Sequence, residues 1–442
     1  GFILTFSRGA FLTLAGLCVL VLVWLFFSKK HSWKSFGLST GKVFISIVVA
    51  ALFVAGLNAA RSNFHEINSI TKKVSQASDE GTSSSSERLE FWKGSLEMLK
   101  DYPLHGSGPG SFKFIFPRYQ ETFGIVSDHP HNIFLKLGVE NGLVALGLFV
   151  IFLFGVAYLI LRAGLFASPF ALGVLGGFAH NLIDYNLNFA ANALLLWLFL
   201  GFLIFDAAKH SKSFFKFSHK YVIGFGLIAA VAVSALAAHE TYYNFIFREG
   251  RNDLQQGNYE AAVPRLEKSQ KLLWNRDLPL SLAESYVGLG NKGKAREVLR
   301  DAIFMNDIEQ AAFSYAFADL SEGTQRIEHF RRALSYDPKN NLKLYYGIVR
   351  EQLASGVDVD ASAIVKQLID YSQLLKNNAH HTILTENPQY AYRIYSLLID
   401  HASDEGSRTL LMKLRQELWN VLAAEAEKFR KKYNVHFEPL RP

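Results

Sequence analysis

Residues 127–142 read SDHPHNIFLKLGVENG and set His129, His131 and Asn132 directly against a long apolar run. A neutral imidazole accepts a proton near physiological pH, which suits a general base acting on a hydroxyl nucleophile. The competing reading is a set of interfacial polar contacts or a helix N-cap, the cap being more natural for Asn132 or Asp128. Further along, His180 and Asp184 stand four residues apart on one helix face, where they pair with each other or with the histidine site. Glu140, eight residues beyond Asn132, lies at the same interface. Two cations complete the candidates. Arg8, in TFSRGAFL, sits at the end of the first apolar run, where an ionisable group at membrane depth is costly and marks a function unless it snorkels to the interface. Arg88 falls in the first turn of an expected helix, against the helix dipole, so either a site or its neighbours Glu87 and Glu90 must hold it.

These residues need a scaffold, and the apolar pattern supplies one. Half of the 442 residues are hydrophobic and 19% are charged, too apolar for one soluble domain and too charged for membrane throughout. Six runs of about 18 to 20 apolar residues, long enough to cross hydrocarbon as helices, fall near 9–27, 43–60, 143–161, 165–183, 187–205 and 221–238. The chain opens on Gly1 almost inside such a run, so further spans are expected ahead of it. No small-residue cleavage pattern marks a signal peptide.

Lysines set the orientation. Lys29, Lys30, Lys34 and Lys42 occupy 28–42 without an acid, and Lys209, Lys212, Lys216 and Lys220 occupy 207–220, so both segments are expected to be cytoplasmic, with Arg162 on the same side. Six crossings then place 61–131 and 239–442 outside. Residues 239–442 carry 27 basic and 27 acidic side chains, so the net charge of +7 resides in residues 1–238. The pI near 9.1 therefore reports topology and not nucleic-acid binding. Cys18 is alone, which excludes an intrachain disulfide, and no CxxC or HExxH spacing marks a metal site.

The expected organisation is all-α: helices 1–2 of a membrane bundle in 1–60, a large outer loop in 61–131, helices 3–6 in 132–238 and a soluble helical repeat domain in 239–442. The outer loop starts with the polar stretch KKVSQASDEGTSSSS. It continues with an amphipathic helix, capped by serines, in which Leu89, Trp92, Leu96 and Leu99 recur at helical spacing until Pro103. LHGSGPGSF then allows a tight, irregular turn. In the last part, GNYEAAVPRLEKSQ (257–270) aligns with GNKGKAREVLRDAI (290–303) at an offset of 33, and IEHFRRALSYDP gives a third copy. This resembles tetratricopeptide repeats stacked as an α-solenoid. Residues 360–442 read as helical without a clear repeat.

Together SRGA, ERLEFW, PLHGSGPGSF, HPHN followed by ENG, and AHNLIDYNLNF resemble the O-antigen ligase superfamily over roughly residues 1–205. The resemblance implies a polytopic bundle of GT-C-like type. It also implies an inverting, metal-independent glycosyltransferase, without a cofactor, that takes a glycan from an undecaprenyl diphosphate carrier to an acceptor hydroxyl on the periplasmic side of the bacterial inner membrane. His131 then matches the catalytic histidine, Arg8 and Arg88 would hold the diphosphate through forked donors, and His129 stands behind His131. Asn132, Glu140, His180 and Asp184 are expected to bind substrate or support these groups. The acceptor implied is a glycan, lipid A core or a protein, with a protein partner on the repeats. The alternatives are a polysaccharide polymerase or protein O-oligosaccharyltransferase of the same superfamily, and, from another class, a non-catalytic membrane anchor for a repeat scaffold.

Overall fold

The computed structural model describes residues 8–27, 81–123, 126–166, 168–210, 219–272, 275, 277–305, 310–382 and 385–433, with residues 41, 45, 48, 49 and 52 singly. The expected second span at 43–60 and the polar stretch at 61–80 lie outside the described residues, these single positions apart. Every regular element among the described residues is helical. The chain divides into two compact units, the first comprising Gly1–Phe112 with Ser127–Phe215 and the second Lys113–Val126 with Lys216–Pro442.

The first unit contains α1 (Arg8–Phe27), α2 (Gly81–Asp101), the start of the short α3 (Phe112–Ile115), α4 (Ile133–Arg162), α5 (Pro169–His180) and α6 (Ala190–His210). Val156 and Ile160 of α4, Ala171 and Val174 of α5, and Leu196, Leu200 and Leu203 of α6 form its apolar core. The opposite face of α4 is apolar as well, with Ile151 68% and Phe154 72% exposed, as hydrocarbon-facing helices require. Ile133–Arg162, Ala190–Ala207 and Gly224–Gln255 are long and apolar enough to cross a membrane. These contain or overlap three of the expected runs. The run at 165–183 forms only the 12-residue α5, about 18 Å long against a hydrocarbon core of about 30 Å. Pro169 fixes its start, and Asn181, whose Nδ2 donates to the Gly177 carbonyl at 2.8 Å, closes it. The helix α1, Arg8–Phe27, is 20 residues long and follows the expected first run at 9–27.

The start of α2 differs from expectation. The helix runs from Gly81 through the serines instead of starting after them. Its buried face is Phe91, Ser95 and Met98, while Leu89 and Leu96 are 55% and 51% exposed. At about 100° per residue, positions 89 and 96 point away from the face that 91, 95 and 98 share. Buried Ser95 is satisfied by donating to the Phe91 carbonyl at 2.6 Å.

In the second unit, α7 (His219–Gln255) is one 37-residue helix that carries the last apolar run straight into the packed helices that follow. Its Tyr243 and Phe247 join a core with Ala262 and Leu266 of α8 (Tyr259–Leu272), Leu278 and Leu282 of α9 (Asp277–Gly288), and Ala295 and Leu299 of α10 (Lys292–Met305). The offset of 33 is structural. Gly257 and Gly290 share φ +74°, and Gly323 and Gly356 follow at the same interval with φ +56° and +67°. The Asn258 amide donates to Asp253 as that of Asn291 does to Tyr286, both at 2.8 Å. Ala262 and Ala295, and Leu266 and Leu299, are fully buried equivalents. After α11 (Gln310–Asp319), α12 (Gly323–Tyr336) and α13 (Leu342–Ala354), the pattern gives way to α14 (Ala361–Thr382), α15 (Asn387–Asp400) and α16 (Glu405–Tyr433) around a separate core.

Candidate active site

The site is built where α4 begins. Asn132 is the N-cap of α4, its Oδ1 accepting from the amides of Phe134 at 2.9 Å and Leu135 at 3.1 Å, so the capping reading holds for this residue. Its Nδ2 donates to Leu182 O, and the Ile133 amide donates to Asn181 O, each at 2.9 Å. These bonds join the start of α4 to the end of α5 and bring the two halves of the polar sequence together.

One carboxylate bridges the two imidazoles. Asp184 Oδ1 lies 3.9 Å from His131 Nδ1, and Asp184 Oδ2 lies 3.5 Å from His180 Nε2. Asn186 Nδ2 contacts His180 Nδ1; donation along this line leaves the His180 proton on Nε2, facing Asp184. Burial pushes the Asp184 carboxyl up, but His131, the Tyr185 amide, His180 and the charge of Arg88 outweigh it and hold the group below the usual carboxylate range. Asp184 is therefore an anion between two imidazoles, with Arg88 near enough to act electrostatically on both Asp184 and His180.

The imidazole of His131 is boxed by aromatic rings. Phe91 stacks on it with centroids 5.7 Å apart and planes 17° from parallel, and Tyr185 meets it edge-on at 4.7 Å. Tyr185 also packs on His129 at 5.3 Å. Trp92 Nε1 donates to Pro130 O at 3.0 Å, and Ser127 Oγ donates to His129 O at 2.7 Å, so the backbone on the approach to His131 is pinned twice. Among the described residues His131 is the one non-glycine with positive φ, at +53°. That conformation costs a side-chain-bearing residue on the order of 1–2 kcal/mol relative to the right-handed region. A glycine would meet the backbone requirement without that cost, so the imidazole is retained for what its ring does. Beside the loop, His129, Pro130, Asn132, Lys136, Asp184 and Tyr185 help line a cavity of about 20 Å³, room for about one water.

Glu140 is placed elsewhere. It is buried within α4 beside the break at Gly142, where φ is +82° and ψ is 173°. The Phe112 amide approaches its Oε1 at 3.5 Å, and its carbonyl accepts from the Gly108 amide at 2.9 Å. Ser107 N donates to Val139 O at 2.8 Å and Leu143 N to Pro103 O at 2.7 Å. A Cβ at Gly142 would lie 2.0 Å from Leu104 O, and one at Gly106 would lie 2.4 Å from Asn141 N. The LHGSG and ENG motifs are thus two halves of one backbone clasp, and Glu140 belongs to it. The Arg8 side chain lies outside the described residues.

A groove of about 370 Å³ runs between α1, α5 and α6, apolar along Leu14, Leu17, Leu172 and Leu196 and polar at His180, Asn181 and Asn186. Gly173 and Gly177 let Phe199 and Leu196 approach to where a Cβ would stand 2.6 and 2.7 Å away. Phe91, Tyr185 and Asn186 do not stand out in the sequence as site residues, and Trp92 reads there only as part of an apolar stripe. The motifs containing Phe91, Tyr185 and Asn186 were the available signal.

An apolar helical fold with two imidazoles and a carboxylate gathered around the ends of α4 and α5, and Arg88 of α2 acting on them electrostatically, defines a membrane-type protein with a polar cluster. A model of the family described as O-antigen ligase matches residues 1–150. That range covers Arg8, Arg88, His129, His131, Asn132 and Glu140 and ends before His180 and Asp184. The match supports an O-antigen ligase or polymerase type of membrane glycosyltransferase. No curated protein and no solved structure matches the chain.

Proposed function

We propose that this chain catalyses transfer of a glycan from an undecaprenyl diphosphate carrier to an acceptor hydroxyl at the periplasmic face of the bacterial inner membrane. The observation that carries the proposal is His131, held in a left-handed backbone with Nδ1 toward the Asp184 carboxylate. A proton shared along that line leaves Nε2 as the acceptor, the arrangement a general base needs. The separation of 3.9 Å is longer than a hydrogen bond and shortens as a substrate closes the site. His131 Nε2 takes the acceptor's hydroxyl proton while the oxygen attacks the anomeric carbon from the face opposite the diphosphate. The glycosidic C–O bond breaks with inversion, and undecaprenyl diphosphate leaves with the bonding pair. Arg88, with Arg8, neutralises that leaving group. Asp184 orients His131 and stabilises the imidazolium that forms, and His180, oriented by Asn186, supports Asp184. His129 shares Tyr185 with His131 and sets its approach. The groove ending at His180 suits a lipid-anchored donor. Residues 61–131 and 239–442 are periplasmic in this reading, and the 33-residue units form a tetratricopeptide-like surface for a protein or glycan partner.

A polymerase or protein O-oligosaccharyltransferase would use the same chemistry on another acceptor. Glycan profiling of a deletion strain complemented with wild-type or His131→Ala chain separates these readings. Accumulated lipid-linked polymer marks a ligase, capped single repeats mark a polymerase, and loss of glycoprotein marks the third. Full complementation by His131→Ala would instead favour a non-catalytic scaffold.

A further inference from the structure

The loop that carries His129 and His131 is held at three places. Its first part, through Phe112, is clasped to the break in α4, and its last part, from Ser127, is pinned by Trp92 and the α4 cap. The segment between them, Lys113–Val126, belongs to the second compact unit. Phe123 is 2% exposed in the core formed by α13 to α16. It meets Tyr371 of α14 edge-on at 5.7 Å, with Lys339 5.0 Å above its ring. Gln120 and Asn340 exchange carboxamide hydrogen bonds, Gln120 Nε2 donating to Asn340 Oδ1 at 3.0 Å and Asn340 Nδ2 donating to Gln120 Oε1 at 2.8 Å. The Arg118 guanidinium lies 5.4 Å from the Tyr336 ring.

The receiving side is itself braced. Asn340 Nδ2 also donates to Asp337 Oδ1 at 2.9 Å, and its carbonyl accepts from Asn387 Nδ2 at 2.7 Å. The turn closing the third helical copy, which contains Asp337, Lys339 and Asn340, is therefore a rigid socket tied to α15. Phe123 stands eight residues before His131 in the chain, so the socket holds the chain eight covalent links upstream of the imidazole.

We propose that Gln120 and Phe123, seated in this socket, are positioning residues for His131, which makes the helical C-terminal unit an integral part of the transferase. The proposal rests on the catalytic reading of His131. Its consequence is that whatever engages the socket from outside would alter turnover without touching the reacting atoms.

The test uses the full chain in its membrane. Gln120→Asn and Asn340→Gln each change the reach of the pair by one methylene, and the double variant restores it. Each single variant is expected to lower turnover by on the order of 10- to 100-fold, the cost of about an ångström of misplacement, with donor binding unchanged because Arg88 is on α2. The double variant is expected to recover most of the loss. Deuterium uptake at 127–132 should rise in the single variants and in Phe123→Ala and return toward wild type in the double. Single variants with wild-type turnover and unchanged uptake would overturn the proposal. So would a loss that the double variant fails to rescue with uptake unchanged at 127–132. His131→Ala run alongside keeps the two readings apart: if it remains active the catalytic reading fails, whereas deuterium uptake still judges the clamp.

Discussion

The left-handed backbone at His131 separates what the main chain needs from what the side chain does. His131→Ala and His131→Gly both delete the imidazole, its stack on Phe91 and its edge contact with Tyr185. Those losses cancel when the two variants are compared with each other. What differs is the backbone at φ +53°. An alanine there bears on the order of 1–2 kcal/mol that glycine does not, while the freer unfolded chain of glycine returns about 0.5–1 kcal/mol. His131→Gly is therefore expected to be more stable than His131→Ala by about 0.75 kcal/mol from the midpoints of the two ranges, despite being the more flexible residue. Thermal unfolding of the two purified variants in detergent should show the glycine form melting roughly 1–4 °C higher for a unit of this size. Both should be inactive in glycan transfer. An alanine variant as stable as the glycine variant would refute the claim that the fold imposes this conformation, and with it the argument that the imidazole is kept against a backbone cost.

Arg88→Lys is expected to lose far more activity than its retained charge suggests, because an ammonium cannot make the two-pronged phosphate contact; near-native transfer by a folded variant would count against that role. Since the Asp184 carboxyl is held below its ordinary range, its contribution to stability is complete above the unfolded value and is lost as pH falls through the lower folded one. Asp184→Asn should accordingly flatten the acid limb of a stability profile, and an unchanged limb would show that the carboxylate is not held by its neighbours. Gly142→Ala places a methyl 2.0 Å from Leu104 O in a backbone region essentially reserved for glycine. It is expected to cost more than about 2 kcal/mol, read as a lower melting temperature or loss of folded yield. A cysteine introduced at Ser84 should react with an impermeant reagent in intact cells, and its protection would reverse the assigned sidedness.

Much of the architecture is legible in the residues because it rests on local periodicity. Full-length apolar runs mark α4, α6 and α7, and glycines 33 residues apart mark turns that need positive φ. The length of the helix in 165–183 and the buried face of α2 are less legible, because composition hides direction. Pro169 and Asn181 shorten α5, and the leucines of α2 draw attention away from the face that Phe91, Ser95 and Met98 bury. At the site, His131, Asp184 and His180 are suggested by type and spacing. Their shared geometry is not, because His131 and Asp184 are joined across 53 sequence positions by the α4 cap and the α5 end. Glu140 reads as a candidate because a carboxylate stands beside a histidine loop, and its contacts with Gly108 and Phe112 of the clasp are not legible in the sequence. The insertion of Lys113–Val126 into the second unit is a long-range packing event that no window of sequence displays.

The central claim is that His131 is the base and that the donor is held independently of it. The direct measurement is transfer of lipid-linked glycan by purified wild-type and His131→Ala chains, with donor binding measured on the same samples. Turnover is expected to fall by on the order of 100- to 10,000-fold while donor affinity stays close to wild type, as it must if the arginines engage the diphosphate before an acceptor arrives. Turnover by His131→Ala within a few-fold of wild type would contradict the claim.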